Sequence, residues 1–314
     1  MSDSTELKDL VRGLRQPQKQ VDSKYFYDQR GSELFDEITT LPEYYLTRTE
    51  LGLLEAHADA LIARTRPATL LELGAGSARK TRLLLDALQA RVPGATYAPF
   101  DVSASFLGET ARELRLEFPE LRVTPVVGDF TQPLEVAADT VRPALVALLG
   151  STLGNFAESR ATEILGNATA WMAAGDHLLL GVDMRPGQGK TREELEAAYD
   201  DEQGVTAEFN LNLLRVLNDR FGTDFDPSAF EHVARYDTRE GRVEMHLRAR
   251  RAHHVRLPGE EPIGFVQGET LRTEISCKYD RPTIEDLMVS AGLELLEWIE
   301  ASGRYALALG VRRA

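Results

Sequence analysis

Three carboxylates stand in or beside short apolar runs in the first half of the chain. Glu72 lies in "TLLEL" (69–73), Asp101 ends "TYAPFD" (96–101), and Asp129 ends "RVTPVVGD" (122–129). The first run leads into Gly74-Ala75-Gly76, then Ser77-Ala78-Arg79-Lys80. Glycines there let the backbone turn tightly and approach a ligand with no side chain between. A carboxylate such as Asp101 can accept both hydroxyls of a ribose. Asp129 can accept from an adenine amino group while Phe130 supplies an apolar contact. Lys80 could pair with a ligand's carboxylate, and Arg79 beside it is expected to be solvated. The six histidines show no metal spacing, His253 and His254 being adjacent, so no metal is expected. The basic run "RARRAHH" (248–254) reads as a solvated strand or loop rather than a phosphate site.

A dinucleotide site would want a third glycine, as in G-x-G-x-x-G. Arg79 occupies that place, which weakens a pyrophosphate reading and an oxidoreductase with it. Glu72-Leu73-Gly74-Ala75-Gly76 instead resembles the E-x-G-x-G motif of S-adenosylmethionine (SAM)-dependent methyltransferases. Three acids at successive strand ends, around the crevice where open α/β sheets bind ligands, support that reading.

The elements that must position these residues alternate. "ALVALLG" (144–150) and "HLLLGVD" (177–183) continue the series of buried strands, with helical stretches between. That rhythm predicts an α/β fold with a parallel, doubly wound sheet. Residues 1–66 read as mostly helical, and the Thr47-x-Thr49-Glu50 neighbourhood as a helix start. After Asp183 the rhythm breaks. "TREELEAAYDD" and "TAEFNLNLLRVLNDRFG" read as helices, and "RVEMHLRARRAHHVRL" and "LRTEISCKY" as strands. "TIEDLMVSAGL" returns to helix, and the last twenty or so residues read as a closing hairpin, antiparallel in appearance and so favouring a methyltransferase sheet. The sheet domain is therefore expected to be split, as 48–187 with 279–314. A second, α+β domain is expected from 1–47 with 188–278.

Composition narrows the class. A chain of 314 residues with 43% hydrophobic residues can bury a real core. A net charge of −14 argues against nucleic acid or an anionic membrane surface as partner. No apolar run approaches the roughly 20 residues of a membrane span, and "MSDSTELKDLVRG" lacks a signal peptide's apolar stretch. Cys277 is the only cysteine, which fits a reducing cytoplasm. A cytoplasmic monomer is expected.

The segments "YFYDQRGSELFDEIT", "LPEYYLTRTE", "LELGAGSARKT", "GSTLGNF", "AYDDEQGVTAEFN", "FEHVARYD", "EMHLRAR" and "TEISCKY" occur in this order. Together they resemble the histidine N-alpha-methyltransferases of ergothioneine biosynthesis, from about residue 20 to the C-terminus. The resemblance implies a Rossmann-like class I methyltransferase sheet with an inserted substrate domain. It also implies three methyl transfers from SAM to the histidine α-amine, giving hercynine. Carried over by motif, Gly74, Lys80, Asp101, Asp129 and Phe130 would contact SAM. Tyr44, Gly150, Asn155, Tyr199, Met245, Glu274 and Ser276 would contact L-histidine. Asn155 and Tyr199 offer neutral donors to a carboxylate, Gly150 a carbonyl near the amine, and Met245 a wall for the ring. Glu274, Ser276 and Tyr44 can read the imidazole's donor and acceptor. Tyr44 rather than Tyr45 is expected to face the ligand. Asn155 and Tyr27 are the candidates for a catalytic part at the amine, with water taking the proton. Two alternatives stand beside this reading: methylation of another aromatic amino acid such as tryptophan, and a SAM-binding regulator without catalysis. Glu274 and Met245 argue against the first, and the intact "GSTLGN" and "TEIS" segments against the second.

Overall fold

The computed structural model describes residues 3–137 and 140–313. The chain forms two compact units: Met1–Tyr45 with Lys190–Cys277, and Leu46–Gly189 with Lys278–Ala314.

The second of these is built on one eight-stranded sheet. Across it run Leu293–Ala301, Tyr305–Arg312, His177–Asp183, Ala144–Leu148, Thr69–Leu73, Thr96–Asp101 and Arg122–Val123, with Val126–Val127 also pairing Thr96–Asp101. Pairing is parallel from His177–Asp183 to Val126–Val127, and Tyr305–Arg312 is antiparallel to both its neighbours. The central strands Thr69–Leu73 and Ala144–Leu148 are buried along their whole length, as parallel strands covered on both faces must be. The stretch 122–129 is not one strand as the sequence suggested. Pro125 has no N–H to give the ladder, so Arg122–Val123 and Val126–Val127 pair separately. From Thr69–Leu73 the chain moves one way to Thr96–Asp101 and later the other way to Ala144–Leu148. The crevice of such a sheet opens at that reversal, beyond the carboxyl ends of the strands.

The helix Tyr45–Thr65 starts earlier than the Thr47–Glu50 signal suggested. Those residues lie inside its first turns, so Glu50 is no capping acid; its carboxylate is fully buried.

The other unit carries a four-stranded sheet in the order Lys19–Gln20, Thr270–Cys277, Arg242–Ala249, Phe230–Asp237. The helix Val205–Phe221 packs on it. The long stretch 242–257 is broken: Arg242–Ala249 belongs to the sheet, and His253–Val255 forms a separate two-stranded ribbon with Ile263–Phe265. The basic run is paired outside any ligand site. Arg248 and Arg250 engage Glu231, and Arg251 engages Asp226.

One irregularity sets what this sheet presents. Val243, Met245 and Leu247 share a face of their strand, and directly opposed residues of an antiparallel pair point the same way. Their partners are Ser276, Glu274 and Leu271. The step from Leu271 to Glu274 is three residues, because the register shifts between Arg272 and Glu274. This bulge turns Glu274 and Ser276 onto the face that already holds Met245.

Candidate active site

In the sheet unit, Gly74, Gly76 and Ala78 all have positive φ (70°, 51° and 50°) and shape the turn after Thr69–Leu73. The Gly74 N–H donates to the Phe100 carbonyl (2.8 Å), tying the turn to the next strand. A Cβ on Gly74 would reach Phe130 at 3.5 Å, and one on Gly76 would meet nothing within 4 Å. Asp101 is held from behind: it accepts the Gly76 N–H through Oδ2 (3.1 Å) and the Ser103 N–H through Oδ1 (3.1 Å). Each carboxylate oxygen has a further lone pair, so a pre-oriented acceptor pair remains for a diol. Asp129 is exposed and spends Oδ1 on the Thr131 N–H (2.9 Å) and hydroxyl (2.7 Å). Phe130 is half-buried, edge to face with Phe156 at 6.1 Å. An open glycine turn, an anchored diol acceptor and an aromatic within reach of the turn fit an adenosine-bearing cofactor.

Glu72 does not face a ligand as the strand-end pattern suggested. It is 4% exposed and accepts from the Thr81 and Tyr97 hydroxyls. Burial pushes its carboxyl up to about 7, against those two hydrogen bonds and the Lys80 charge. Lys80 sits in the turn before the helix Arg82–Arg91, not in its first turn. Its ammonium pairs with Glu50, a residue whose sequence position suggested only a helix start. Glu50 also accepts the Gly150 N–H (2.8 Å to Oε1) and the Tyr305 hydroxyl (2.7 Å).

The segment after Ala144–Leu148 turns sharply, with Gly150 and Ser151 both at positive φ (76° and 56°). It is pinned on two sides. Ser151 Oγ accepts the Asp183 N–H (3.0 Å), and the Tyr279 hydroxyl donates to the Leu153 carbonyl (3.3 Å). Lys278 and Asp183 form an ion pair (2.8 Å) with both side chains wholly buried. Asn155 ends the short helix Thr152–Asn155 and is half-buried.

The other unit gathers Tyr27, Tyr44, Tyr199, Met245, Glu274 and Ser276. Tyr199 and Ser276 share a hydrogen bond between hydroxyls of 2.9 Å. The Tyr44 ring stands edge to face with Tyr199 at 6.3 Å. Tyr45 is committed elsewhere, because its hydroxyl accepts from the buried Lys190 ammonium (2.8 Å). Glu274 lies opposite Met245 on the bulged face. Nearby, Arg272 engages Glu244 (3.2 Å) and Lys278 engages Asp183. Tyr27 is 48% exposed, yet burial, then the charges of Glu274 and Tyr199, push its pKa up. It is therefore a neutral phenol at physiological pH and can act by hydrogen bonding, not as a base. Tyr27 is placed by two caps: Asp22 accepts the Lys24 N–H (3.0 Å), and Asp28 accepts the Gly31 N–H (2.7 Å). Gly31 has no alternative, since a Cβ there would lie 1.7 Å from the Phe26 carbonyl oxygen.

The sequence reading missed the rest of this aromatic wall. Phe209 packs 6.0 Å from Tyr27, and Phe35 lies 5.8 Å from Tyr27 and 6.3 Å from Tyr44. Both occur in quoted segments, "TAEFN" and "SELFDE", but a lone phenylalanine at helical spacing reads as core. Behind Tyr199 stands His232, whose Nε2 bonds the Tyr199 carbonyl (2.8 Å) and whose Nδ1 meets Asn210 (2.8 Å). Desolvation lowers its pKa and keeps it neutral.

A doubly wound sheet with a glycine turn and a diol-accepting acid at its switch point, and an antiparallel strand beside its edge, defines a SAM-dependent methyltransferase fold. The same fold occurs in the crystal structure of a SAM-dependent methyltransferase from Clostridium acetobutylicum, with a TM-score of 0.51 at 11% identity, covering 90% of this chain and 99% of that one. The chain belongs to the histidine-specific, SAM-dependent methyltransferases, whose family model matches residues 6–312. It is 41% identical over 307 residues to a histidine N-alpha-methyltransferase from Mycolicibacterium smegmatis, covering 97% of this chain and 94% of that one. It is 32% identical over 243 residues to ergothioneine biosynthesis protein 1 of Schizosaccharomyces pombe, covering 74% of this chain and 31% of that one.

Proposed function

We propose that this enzyme transfers three methyl groups in succession from SAM to the α-amine of L-histidine, giving hercynine on the route to ergothioneine. The observation that carries the reading is the bulged strand: Glu274 and Ser276 share a face with Met245, and Ser276 is bonded to Tyr199. That combination suits a ring that is apolar on its faces and polar at two nitrogens.

SAM, when bound, supplies a sulfonium-activated methyl group. The chain's own residues then have to bind and orient. Gly74, Asp101, Asp129 and Phe130 hold the adenosine, and Lys80 the amino-acid end. The Glu274 carboxylate accepts the imidazole N–H, and the Tyr199 and Ser276 hydroxyls serve the other nitrogen and the substrate carboxylate. Tyr44 and Met245 wall the ring. Asn155 and the Gly150 carbonyl serve the amino-acid end of histidine. Tyr27, neutral and half exposed, hydrogen-bonds the amine while water takes its proton. Catalysis of this kind is positioning, since a fixed geometry makes the reaction effectively unimolecular. Few strong donors around the amine leave room for it to grow by methyl groups.

Among the described residues no helix is long and apolar enough to cross a membrane. The net charge of −14 and the single cysteine support a cytoplasmic monomer that works on a free amino acid. The purified protein, given SAM and a mixture of amino acids, should add one, two and then three methyl groups to histidine, all on the α-nitrogen by fragmentation mass spectrometry. Mono- and dimethylhistidine should be substrates. Methylation on an imidazole nitrogen, or on tryptophan in preference, would overturn the assignment.

A further inference from the structure

Glu50 is 0% exposed, and groups from three distant stretches of the sheet unit converge on it. The Lys80 ammonium comes from the glycine turn, the Gly150 N–H from the end of Ala144–Leu148, and the Tyr305 hydroxyl from the antiparallel strand. The space is built for this carboxylate. A Cβ on Gly181 would lie 2.0 Å from Glu50 Oε1 and 2.9 Å from the Tyr305 hydroxyl. The ammonium in turn lies against the next turn, since a Cβ on Gly150 would be 2.9 Å from Lys80 Nζ. A buried ion pair is by itself weak evidence for stability. This one has a geometric consequence: it joins the turn that carries Lys80 to the turn that carries Gly150. It also has an electrostatic one. The pair is neutral, while the ammonium keeps two further N–H donors.

We propose that Glu50 is a positioning residue for methyl transfer, which sets the Lys80 ammonium and the Gly150 peptide together and cancels the lysine charge where the cofactor's amino-acid end is received. The proposal rests on Lys80 being a cofactor residue. SAM carries a sulfonium cation that its demethylated product, S-adenosylhomocysteine, lacks. A Lys80 without its counter-charge would therefore penalise SAM more than the product, and Glu50 protects the preference for the methyl donor.

Calorimetric titration of the full-length protein with SAM and with S-adenosylhomocysteine tests this, with circular dichroism to monitor folding. Glu50→Gln should weaken SAM by about three- to tenfold more than the product, a modest charge effect in a partly screened site. In the double variant Glu50→Gln/Lys80→Met the ratio of the two affinities should return towards the parent value, because the uncompensated charge is gone. Equal weakening of both ligands by Glu50→Gln, or no change, while Lys80→Met weakens SAM, overturns the role of Glu50 and leaves that of Lys80 standing. If Lys80→Met changes neither affinity, the cofactor role of Lys80 fails first and the proposal with it. Should Glu50→Gln not fold, Glu50→Asp carries the test: charge kept and reach shortened, it should lower both affinities and hold their ratio. A ratio that falls with the charge retained refutes the electrostatic role.

Discussion

At the scale of single residues, anchoring separates an acid that meets a ligand from an acid that builds the fold. Asp101 is bonded from behind by two backbone N–H groups at 3.1 Å and stays half-buried, whereas Glu72 is closed in by two hydroxyls. Asp101→Ala should lose charge-assisted hydrogen bonds to the ribose worth about 1.5–3 kcal/mol each. Calorimetry should then show SAM binding weaker by at least about tenfold, with the far-ultraviolet spectrum of the parent retained. Unchanged affinity would remove Asp101 from the site. The sequence offered the same kind of signal for both acids, a carboxylate in or at the end of an apolar run, and burial alone tells them apart. Glu50 was harder still to read. An acid soon after two threonines looks like a helix cap, and only the approach of Lys80, Gly150 and Tyr305 reveals a buried hub.

At the scale of elements, the strand Thr270–Cys277 matters most. Its single extra residue reverses which side chains face the helix-covered side, because side chains alternate with period two. Thr273 sits in the bulge, wholly buried, with its hydroxyl on the Met245 carbonyl (3.1 Å). Glu274→Ala/Ser276→Ala leaves the bulge in place and strips both polar groups from the Met245 face. Two polar contacts to the imidazole would go, at roughly 1–3 kcal/mol each, so histidine affinity should fall at least about tenfold. SAM binding reports separately on the sheet unit and should persist. Histidine binding at parental strength in the folded double variant would show that the pair does not meet the imidazole. The "TEIS" segment was legible as a motif. Its bulge was not, since nothing in Leu271–Ser276 announces a register shift that the neighbouring strand imposes.

At the scale of the whole molecule, stability should depend on pH through two carboxyls of opposite sign. Glu72 has its folded pKa raised to about 7 by burial, from an ordinary value of 4.5. Between those values the folded chain holds a proton that the unfolded chain has lost, so the favourable contribution is complete below about 4.5 and drains away as pH rises through about 7. Glu72→Gln should therefore match the parent at low pH and exceed it by up to about 3 kcal/mol above neutrality, at 1.36 kcal/mol per pKa unit. Urea midpoints measured from pH 4.5 to 8 test this. A constant offset between the two proteins across that range would mean that Glu72 does not titrate there. Glu244 works the other way. The hydrogen bond from His246, helped by Arg242 and Arg235, holds its carboxyl below the usual range. Its contribution is present above the ordinary carboxylate pKa and is lost on acidification.

The sequence by itself determined the alternation of buried strands and helices, the break in that alternation after Asp183, the glycine turn and the family. These are local: apolar periodicity, turn glycines and ordered motifs survive being read along one dimension. Tertiary structure decided what depends on partners far away in the chain. Pro125 splits a strand only because a neighbouring strand needs its missing N–H. Tyr45 is committed to Lys190, 145 positions distant, which leaves Tyr44 beside Tyr199. Glu50 becomes a hub because Gly181, on another strand, leaves room for its carboxylate. In each case the residue type was visible in the sequence, but its chemistry follows from burial and from the groups that folding brings within hydrogen-bonding reach.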